Sequence, residues 1–88
     1  MNVEQAMKIV IKPYVTEKTF AMVENESKVC FIVEKSASKP EIVEAVEILY
    51  KKKAVNVNTA RTVYGKKAFV KFETIETARE LATKIGML

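Results

Sequence analysis

The chain of 88 residues contains no histidine, no tryptophan, one cysteine, two glycines and two prolines. Without histidine, and with Cys30 as the single thiol, it has no residues for a Cys/His zinc site or a histidine-based catalytic triad. One cysteine also excludes an intramolecular disulfide and is typical of a reducing compartment. Gly65 and Gly86 belong to no phosphate-cradling loop. We therefore expect no catalytic site, no bound metal and no cofactor.

Long hydrophobic runs are absent as well. The longest uncharged stretch is far below the roughly 18–20 residues that span a bilayer. Residues 1–6 are polar and do not form a signal peptide. The hydrophobic share of 49% is ordinary for a globular protein. We expect one soluble, cytoplasmic domain that does not insert into a membrane.

Hydrophobic patterning in the first half of the chain predicts two strands separated by a short helix. The first strand covers residues 8–12 and ends at Pro13, because proline cannot donate to a sheet ladder. Thr16 is a candidate N-cap for a helix over residues 17–24. Residues 28–35 form the second strand, which is apolar on both faces and is therefore expected in the middle of the sheet.

The second half of the chain predicts a helix, a β-hairpin and a final helix. Ser38 and Glu41 have the spacing of a capping box, and apolar residues then recur at helical intervals. Two strands follow over residues 55–64 and 67–73, and Thr74 caps the last helix. The order β-α-β-α-β-β-α indicates an α+β fold with a four-stranded antiparallel sheet. Its two long helices are expected on one face, which leaves the other face available.

The positive charge is confined to one part of the sequence. Residues 1–47 carry a net charge of −2 and residues 73–88 carry −1, whereas residues 48–72 carry +7 with no acidic residue. A single lysine on a hairpin is usually just a solvated side chain. Seven uncompensated cations with an aromatic residue between them suit RNA, which offers phosphates to cations and base faces to rings. The candidate contacts in this segment are Lys51, Lys52, Lys53, Arg61, Lys66, Lys67, Phe69 and Lys71.

Two polar residues of the hairpin have an ambiguous role. Asn58 and Thr59 are able to hydrogen-bond the RNA backbone or its 2′-hydroxyl groups. The same residue types also make local bonds to neighbouring backbone groups. The pattern does not decide between these roles, and both residues stay among the candidates.

Five short motifs in register resemble the ribosomal large-subunit protein twenty-three family, in its archaeal form. They fall in the family's order and cover nearly the whole chain from Met7. The motifs are Pro-Tyr-Val-Thr-Glu-Lys at 13–18, Ala-Ser-Lys at 37–39, Val-Asn-Thr at 57–59, Gly-Lys-Lys-Ala at 65–68 and Ile-Gly at 85–86.

The resemblance implies a structural protein of the large ribosomal subunit that binds rRNA near the nascent-peptide tunnel exit and supports translation. Its partners would be rRNA, neighbouring ribosomal proteins and nascent-chain factors such as the signal recognition particle and the protein-conducting channel. No small-molecule substrate is implied. Lys18 lies in the first motif and joins the candidate rRNA contacts, and the family glutamate that docks factors matches Glu17.

The resemblance also bears on architecture. It implies three layers and a sheet with strand order 1-2-4-3. Residues 7–88 would form the domain, and residues 1–6 would be a flexible extension that precedes the usual start of the family. Bacterial relatives carry a long hairpin extension that reaches into the tunnel. Only residues 63–66 join the strands here, so no sensing of nascent chain inside the tunnel is expected.

Two other protein classes share parts of this pattern. An RNA-recognition-motif domain has the same βαββα run, and residues 68–72 match the second half of its aromatic motif. The first half is not matched, and no strand follows the last predicted helix. A ferredoxin-like regulatory or acyl-phosphate-hydrolysing module would need an anion-cradling loop, which neither glycine provides.

Overall fold

The structure, a computed structural model, describes residues 1–63 and 65–86. Within these residues the element order contains the predicted β-α-β-α-β-β-α series, preceded by one more helix. Tyr64, at the end of the predicted third strand, lies outside the described residues. The elements are α1 (Val3–Ile9), β1 (Val10–Pro13), α2 (Glu17–Glu26), β2 (Lys28–Val33), α3 (Lys39–Tyr50), β3 (Ala54–Thr62), β4 (Gly65–Phe72) and α4 (Ile75–Lys84).

The four strands form one antiparallel sheet in the order β1-β2-β4-β3. This confirms both the α+β class and the strand order implied by the resemblance. Strand β2 lies between β1 and β4, as its two apolar faces predict. Val29 is paired with Val70, and Val70 with Val57, so these three side chains share one face. A register shift follows Ala54, and the exposed Val55 lies at this irregularity.

One face of the sheet forms the hydrophobic core with the helices. Phe31 from β2 and Phe72 from β4 are fully buried there, and Phe31 stacks on Tyr50 of α3 with ring centroids 5.6 Å apart. Every helix adds buried residues to the same core: Ala6 from α1, Val23 from α2, Ile42, Ala45 and Val46 from α3, and Ala78, Leu81 and Ala82 from α4. The described residues therefore form two layers rather than three, since the helices share one face of the sheet.

Three predicted helix starts are confirmed by their capping bonds. The side chains of Thr16, Ser38 and Thr74 each accept a hydrogen bond from the backbone N–H three residues later. The Glu41 carboxylate accepts a hydrogen bond from the Ser38 N–H at 2.9 Å, which completes the capping box. Ile75 is 39% exposed because it occupies the first position of α4, beside the cap.

Helix α1 is an element that we do not predict from the sequence pattern. Asn2 caps it in a reciprocal capping box with Gln5, and Ala6 is fully buried against the core. The N-terminal ammonium of Met1 lies 3.2 Å from the carboxylate of Glu44 on α3. As a consequence, the first strand starts at Val10 rather than at residue 8. No helix in the described ranges is long and apolar enough to cross a membrane.

Candidate nucleic-acid interface

The face of the sheet that turns away from the helices is the main candidate surface, and we call it the open face. Cys30 is paired with Phe69 and Phe69 with Asn58, so these side chains lie opposite to the core face. Strand alternation assigns the other members. The open face comprises Lys12, Lys28, Cys30, Ile32, Asn56, Asn58, Ala60, Lys67, Phe69 and Lys71.

An aromatic ring lies among cations at the centre of the open face. Phe69 is half-buried and is followed and preceded on β4 by Lys71 and Lys67 of the same face. The ammonium of Lys67 lies 4.0 Å from the centre of the Tyr14 ring, close enough for a cation–π interaction. This contact holds Lys67 beside β1 rather than leaving it to move freely. The arrangement offers charge and an apolar ring together.

Cys30 and Ile32 form the floor of the open face. Both are buried although neither belongs to the core cluster, and Cys30 is only 1% exposed. Burial raises the pKa of the Cys30 thiol to about 11, although the charge of Lys67 opposes this shift. The thiol is therefore protonated at neutral pH and unsuited to nucleophilic chemistry. This agrees with a packing role for the cysteine.

The sheet carries no acidic residue at all. Its strands contain six lysine or arginine side chains, at Lys12, Lys28, Arg61, Lys66, Lys67 and Lys71, and no aspartate or glutamate. Only Lys28 among them forms an ion pair within residues 1–63 and 65–86, with Glu26 at 3.4 Å. Since the open face carries four of these six cations and no carboxylate, it is suited to a polyanion.

The hairpin residues predicted to bind together are divided between two faces. Asn58, Lys67, Phe69 and Lys71 lie on the open face, and the exposed Asn58 is the partner of Phe69. Thr59, Arg61 and Lys66 lie on the other side of the same hairpin, as their pairing register requires. The hairpin is therefore a two-sided basic element rather than one flat patch.

The three lysines after α3 are held apart from the open face. Lys51 ends α3 in the left-handed conformation (φ 57°), with its N–H bonded to the Glu47 carbonyl at 2.8 Å. Lys52 forms an ion pair with Glu80 of α4, which places its charge at the helices. Lys53 is exposed. These cations extend the basic segment along the chain but are not brought onto the open face.

The two candidates in the first motif lie at the start of α2. Glu17 and Lys18 are both exposed in its first turn. Thr16 before them is the helix cap, and the Thr19 hydroxyl donates to the Tyr14 carbonyl at 3.0 Å. Val15 is 51% exposed and Phe20 is 39% exposed, so apolar surface adjoins the Glu17 carboxylate. This second surface lies on α2 rather than on the hairpin.

Several residues of the open face are not among the sequence-predicted contacts. Lys12, Lys28 and Asn56 share the face with Phe69, and Tyr14 contacts Lys67. The alternation of Lys28, Cys30 and Ile32 against the core residues of β2 is the signal that could have found Lys28. The position of Tyr14 depends on the pairing of β1 with β2, which no local pattern gives. In the described ranges no group of three His, Cys, Asp or Glu side chains could hold a metal ion.

Comparisons with known proteins show the family of the chain. The family model described as ribosomal protein L23 matches residues 8–84. The large ribosomal subunit protein uL23 of Methanobrevibacter smithii is 44% identical over 80 residues, which cover 90% of this chain and 93% of the relative. The protein of the same name from Methanosphaera stadtmanae is 39% identical with the same coverage. Both relatives match nearly the full length of the chain.

Proposed function

The chain belongs to the ribosomal protein L23 family, in its archaeal form, and from this premise we propose that its open face and β3–β4 hairpin bind large-subunit rRNA. As a member of this family it is a structural protein of the large ribosomal subunit, in the cytoplasm, and not an enzyme. Other ribosomal proteins of the subunit are its neighbours. It functions in translation.

The observation that carries the rRNA assignment is the carboxylate-free sheet. A polyanion loses no affinity to repulsion there, and the lysines of the open face offer donors to phosphate oxygens. Asn58 adds an amide beside the Phe69 ring, for a 2′-hydroxyl group or a base edge. Because lysines form most of the polar surface, the binding mode is mainly contact with phosphate and sugar, with little base readout.

The position that we propose within the subunit is near the exit of the nascent-peptide tunnel. The two-residue connection between Thr62 and Gly65 supports a role beside the tunnel rather than inside it, because the hairpin has no extension. The start of α2, with Glu17 beside exposed Val15 and Phe20, is the surface we assign to visiting nascent-chain factors. Charge and apolar area together are typical of such docking surfaces.

Binding to a structured fragment of large-subunit rRNA tests the main assignment. We expect tight binding to the fragment, weak binding to unstructured oligonucleotides of equal length, and co-sedimentation with large subunits. An RNA-recognition-motif protein would bind the unstructured oligonucleotides through its strand aromatics. Preference for those oligonucleotides, or failure to co-sediment, would therefore overturn the proposal.

The docking surface at Glu17 is tested separately. The change Glu17→Lys should weaken the affinity of ribosomes for the signal recognition particle and the protein-conducting channel by about tenfold, since an exposed contact with a charged group is worth about 1.5 kcal/mol. The affinity for rRNA should stay the same, because Glu17 lies on α2 and not on a strand of the sheet. Glu47→Lys, an exposed position on α3, is the matched control. Equal factor affinity for wild type and Glu17→Lys would refute the assignment.

A further inference from the structure

A small basic pocket lies at the end of the sheet where the β3–β4 hairpin turns. It has a volume of about 200 Å³ and is lined by Lys35, Arg61, Thr62, Gly65 and Lys66. Lys67, Phe69 and Lys71 of the open face are not among these residues. Three cations, one hydroxyl and the backbone of a glycine thus surround one cavity.

Strand pairing brings these residues together. Arg61 is paired with Lys66 and Thr62 with Gly65, while Val33, two residues before Lys35, is paired with Lys66. The Thr62 hydroxyl donates to the Gly65 carbonyl at 3.0 Å, which closes the hairpin. Gly65 has a φ of +121°, a conformation that side-chain-bearing residues rarely adopt, so the backbone is left bare at this point.

Lys66 is held in place by the loop before α3. Its ammonium donates to the Ala37 carbonyl at 2.6 Å. An ammonium has three N–H donors, so two remain for a ligand once this bond is made. The bond also fixes the long side chain, which lowers the entropy that a ligand contact would otherwise cost. This is the geometry of a prepared anion site rather than of a freely moving surface lysine.

The pocket cations Lys35, Arg61 and Lys66 have carboxylates nearby but form no direct ion pair within the described ranges. After the hydrogen bonds from serine residues, the charge of Lys66 contributes to lowering the pKa of both Glu34 and Glu41. Glu34 is the nearest acidic neighbour in sequence, and its carboxylate accepts bonds from Ser36, with the backbone N–H at 2.7 Å. Those bonds, and to a smaller extent the charge of Lys66, lower the pKa of Glu34. The Glu34 carboxylate is thus occupied at Ser36.

We propose that this pocket binds one backbone phosphate of rRNA, separately from the contacts of the open face. Arg61 is the fork-shaped donor suited to two phosphate oxygens, and Lys35 and Lys66 are point charges beside it. The proposal rests on the proposed rRNA binding and deepens it. The protein would then contact the RNA on two sides of one hairpin. The pocket would fix the position of the RNA at the turn.

The two sites differ in how many phosphates they contact. Lys67 and Lys71 are four residues apart on one strand, about 13 Å, so they reach different phosphates. Lys35, Arg61 and Lys66 converge on one cavity and share one phosphate. Each phosphate contact contributes roughly 0.7–0.9 to the slope of log affinity against log salt concentration. Removal of two pocket cations should thus lower the slope by about one, whereas Lys67→Ala with Lys71→Ala should lower it by nearly two.

The experiment measures rRNA-fragment binding against salt for four forms of the full chain. These are wild type, Lys35→Ala with Arg61→Ala, Lys67→Ala with Lys71→Ala, and Lys8→Ala with Lys39→Ala as a charge-matched control on the helices. Because Lys35, Arg61, Lys67 and Lys71 face solvent at least in part, circular dichroism should report an unchanged fold. We expect about a tenfold loss of affinity for the pocket pair and little change for the control.

A second measurement follows backbone amide NMR signals during titration with inorganic phosphate. Shifts at Thr62, Gly65 and Lys66 in wild type, and their loss in the Lys35→Ala, Arg61→Ala form, support the pocket. An unchanged rRNA affinity in that form would overturn the proposal even if free phosphate shifts the signals, because the site would then take a free anion only. If the open-face pair still loses affinity in that case, the proposed function stands. Absence of rRNA binding by wild type would overturn both the phosphate pocket and the proposed rRNA binding.

Discussion

The strands and the helices of this protein have opposite charge. The strands contain six lysine or arginine residues and no acidic residue, whereas the helices contain nine glutamates and five lysine or arginine residues. The charge of +4 of the whole chain hides this division. The difference matters because the two layers meet on the core face, while each has its own surface towards other molecules.

Many glutamates of the helices are engaged within the chain. Glu41 completes the cap of α3, Glu24 of α2 binds Arg79 of α4, and Glu80 binds Lys52. Charges of this kind are explained by helix capping and helix packing. Apart from Lys28, the cations of the sheet have no such partner within the described ranges. The comparison teaches that the carboxylates of the helices stabilise the fold, whereas the cations of the sheet are left for the RNA contact that we propose.

The largest expected effect is on stability, and it comes from truncating one phenylalanine on each face of β4. Phe72 is fully buried in the core, whereas Phe69, three residues earlier, is half-buried on the open face. Phe72→Ala should lower the free energy of unfolding by about 3–5 kcal/mol, the usual cost of a large cavity in a core. Phe69→Ala should cost about 1–2 kcal/mol and should weaken rRNA binding through the lost ring. Urea unfolding of both variants measures the two losses in the free energy of unfolding.

The same two variants can also contradict the assignment of a core face and an open face. An equal loss of stability for both phenylalanines would mean that the open face is packed like a core and is not a free surface. An rRNA affinity unchanged by Phe69→Ala would remove the ring from the interface and leave a purely ionic contact.

The next effect comes from reversing charge in each layer. Lys67→Glu with Lys71→Glu should lower the affinity for the rRNA fragment by at least about 100-fold, since each lost contact with a charged group is worth about 1.5 kcal/mol and repulsion adds to it. Lys39→Glu with Lys84→Glu changes the net charge equally but lies on the helices, and should have little effect. Fluorescence anisotropy at fixed salt compares the two forms.

Equal losses of affinity in both double variants would contradict the division into layers. The protein would then attract RNA by its net charge alone, with no defined face. That outcome would leave the family assignment untouched, because membership rests on the sequence comparisons.

Most of the fold follows from local patterns in the sequence. The caps at Thr16, Ser38 and Thr74 are short motifs, and the alternation in β4 assigns Ala68, Val70 and Phe72 to the core without knowledge of the rest. Helix α1 is different, because seven residues make a marginal helix on their own. Its support comes from Ala6 packed in the core and from Met1 beside Glu44, which are tertiary contacts.

The site is predictable in composition but not in arrangement. The sequence indicates that Lys66 and Lys67 are basic hairpin residues, yet adjacent strand residues point to opposite faces. Lys67 therefore reaches Tyr14 while Lys66 reaches the Ala37 carbonyl. Tyr14 and Ala37 are distant in sequence, so their contacts depend on how β1 and α3 dock against the hairpin. The local sequence of the hairpin therefore does not predict these contacts.

The smallest expected effect concerns the acid pairs of the helical layer. Hydrogen bonds from Arg79 hold the pKa of Glu24 below its usual value of 4.5. A carboxyl whose pKa is lower in the folded state stabilises the protein above about pH 4.5 and loses this contribution as the pH falls through the folded pKa. Glu24→Gln should therefore lower the urea midpoint slightly at pH 7 and by less at pH 3. Both groups are exposed, so the effect at pH 7 is small.

Glu47→Gln is the matched control for this measurement, because Glu47 is exposed on a helix and has no ion pair within the described ranges. Its urea midpoint should differ little from wild type at either pH. Neither substitution should alter rRNA affinity, since both lie in the helical layer. A gain of affinity in Glu24→Gln would mean that the carboxylates of the helices repel the RNA. The helical layer would then limit where the RNA can lie, rather than serve only the fold.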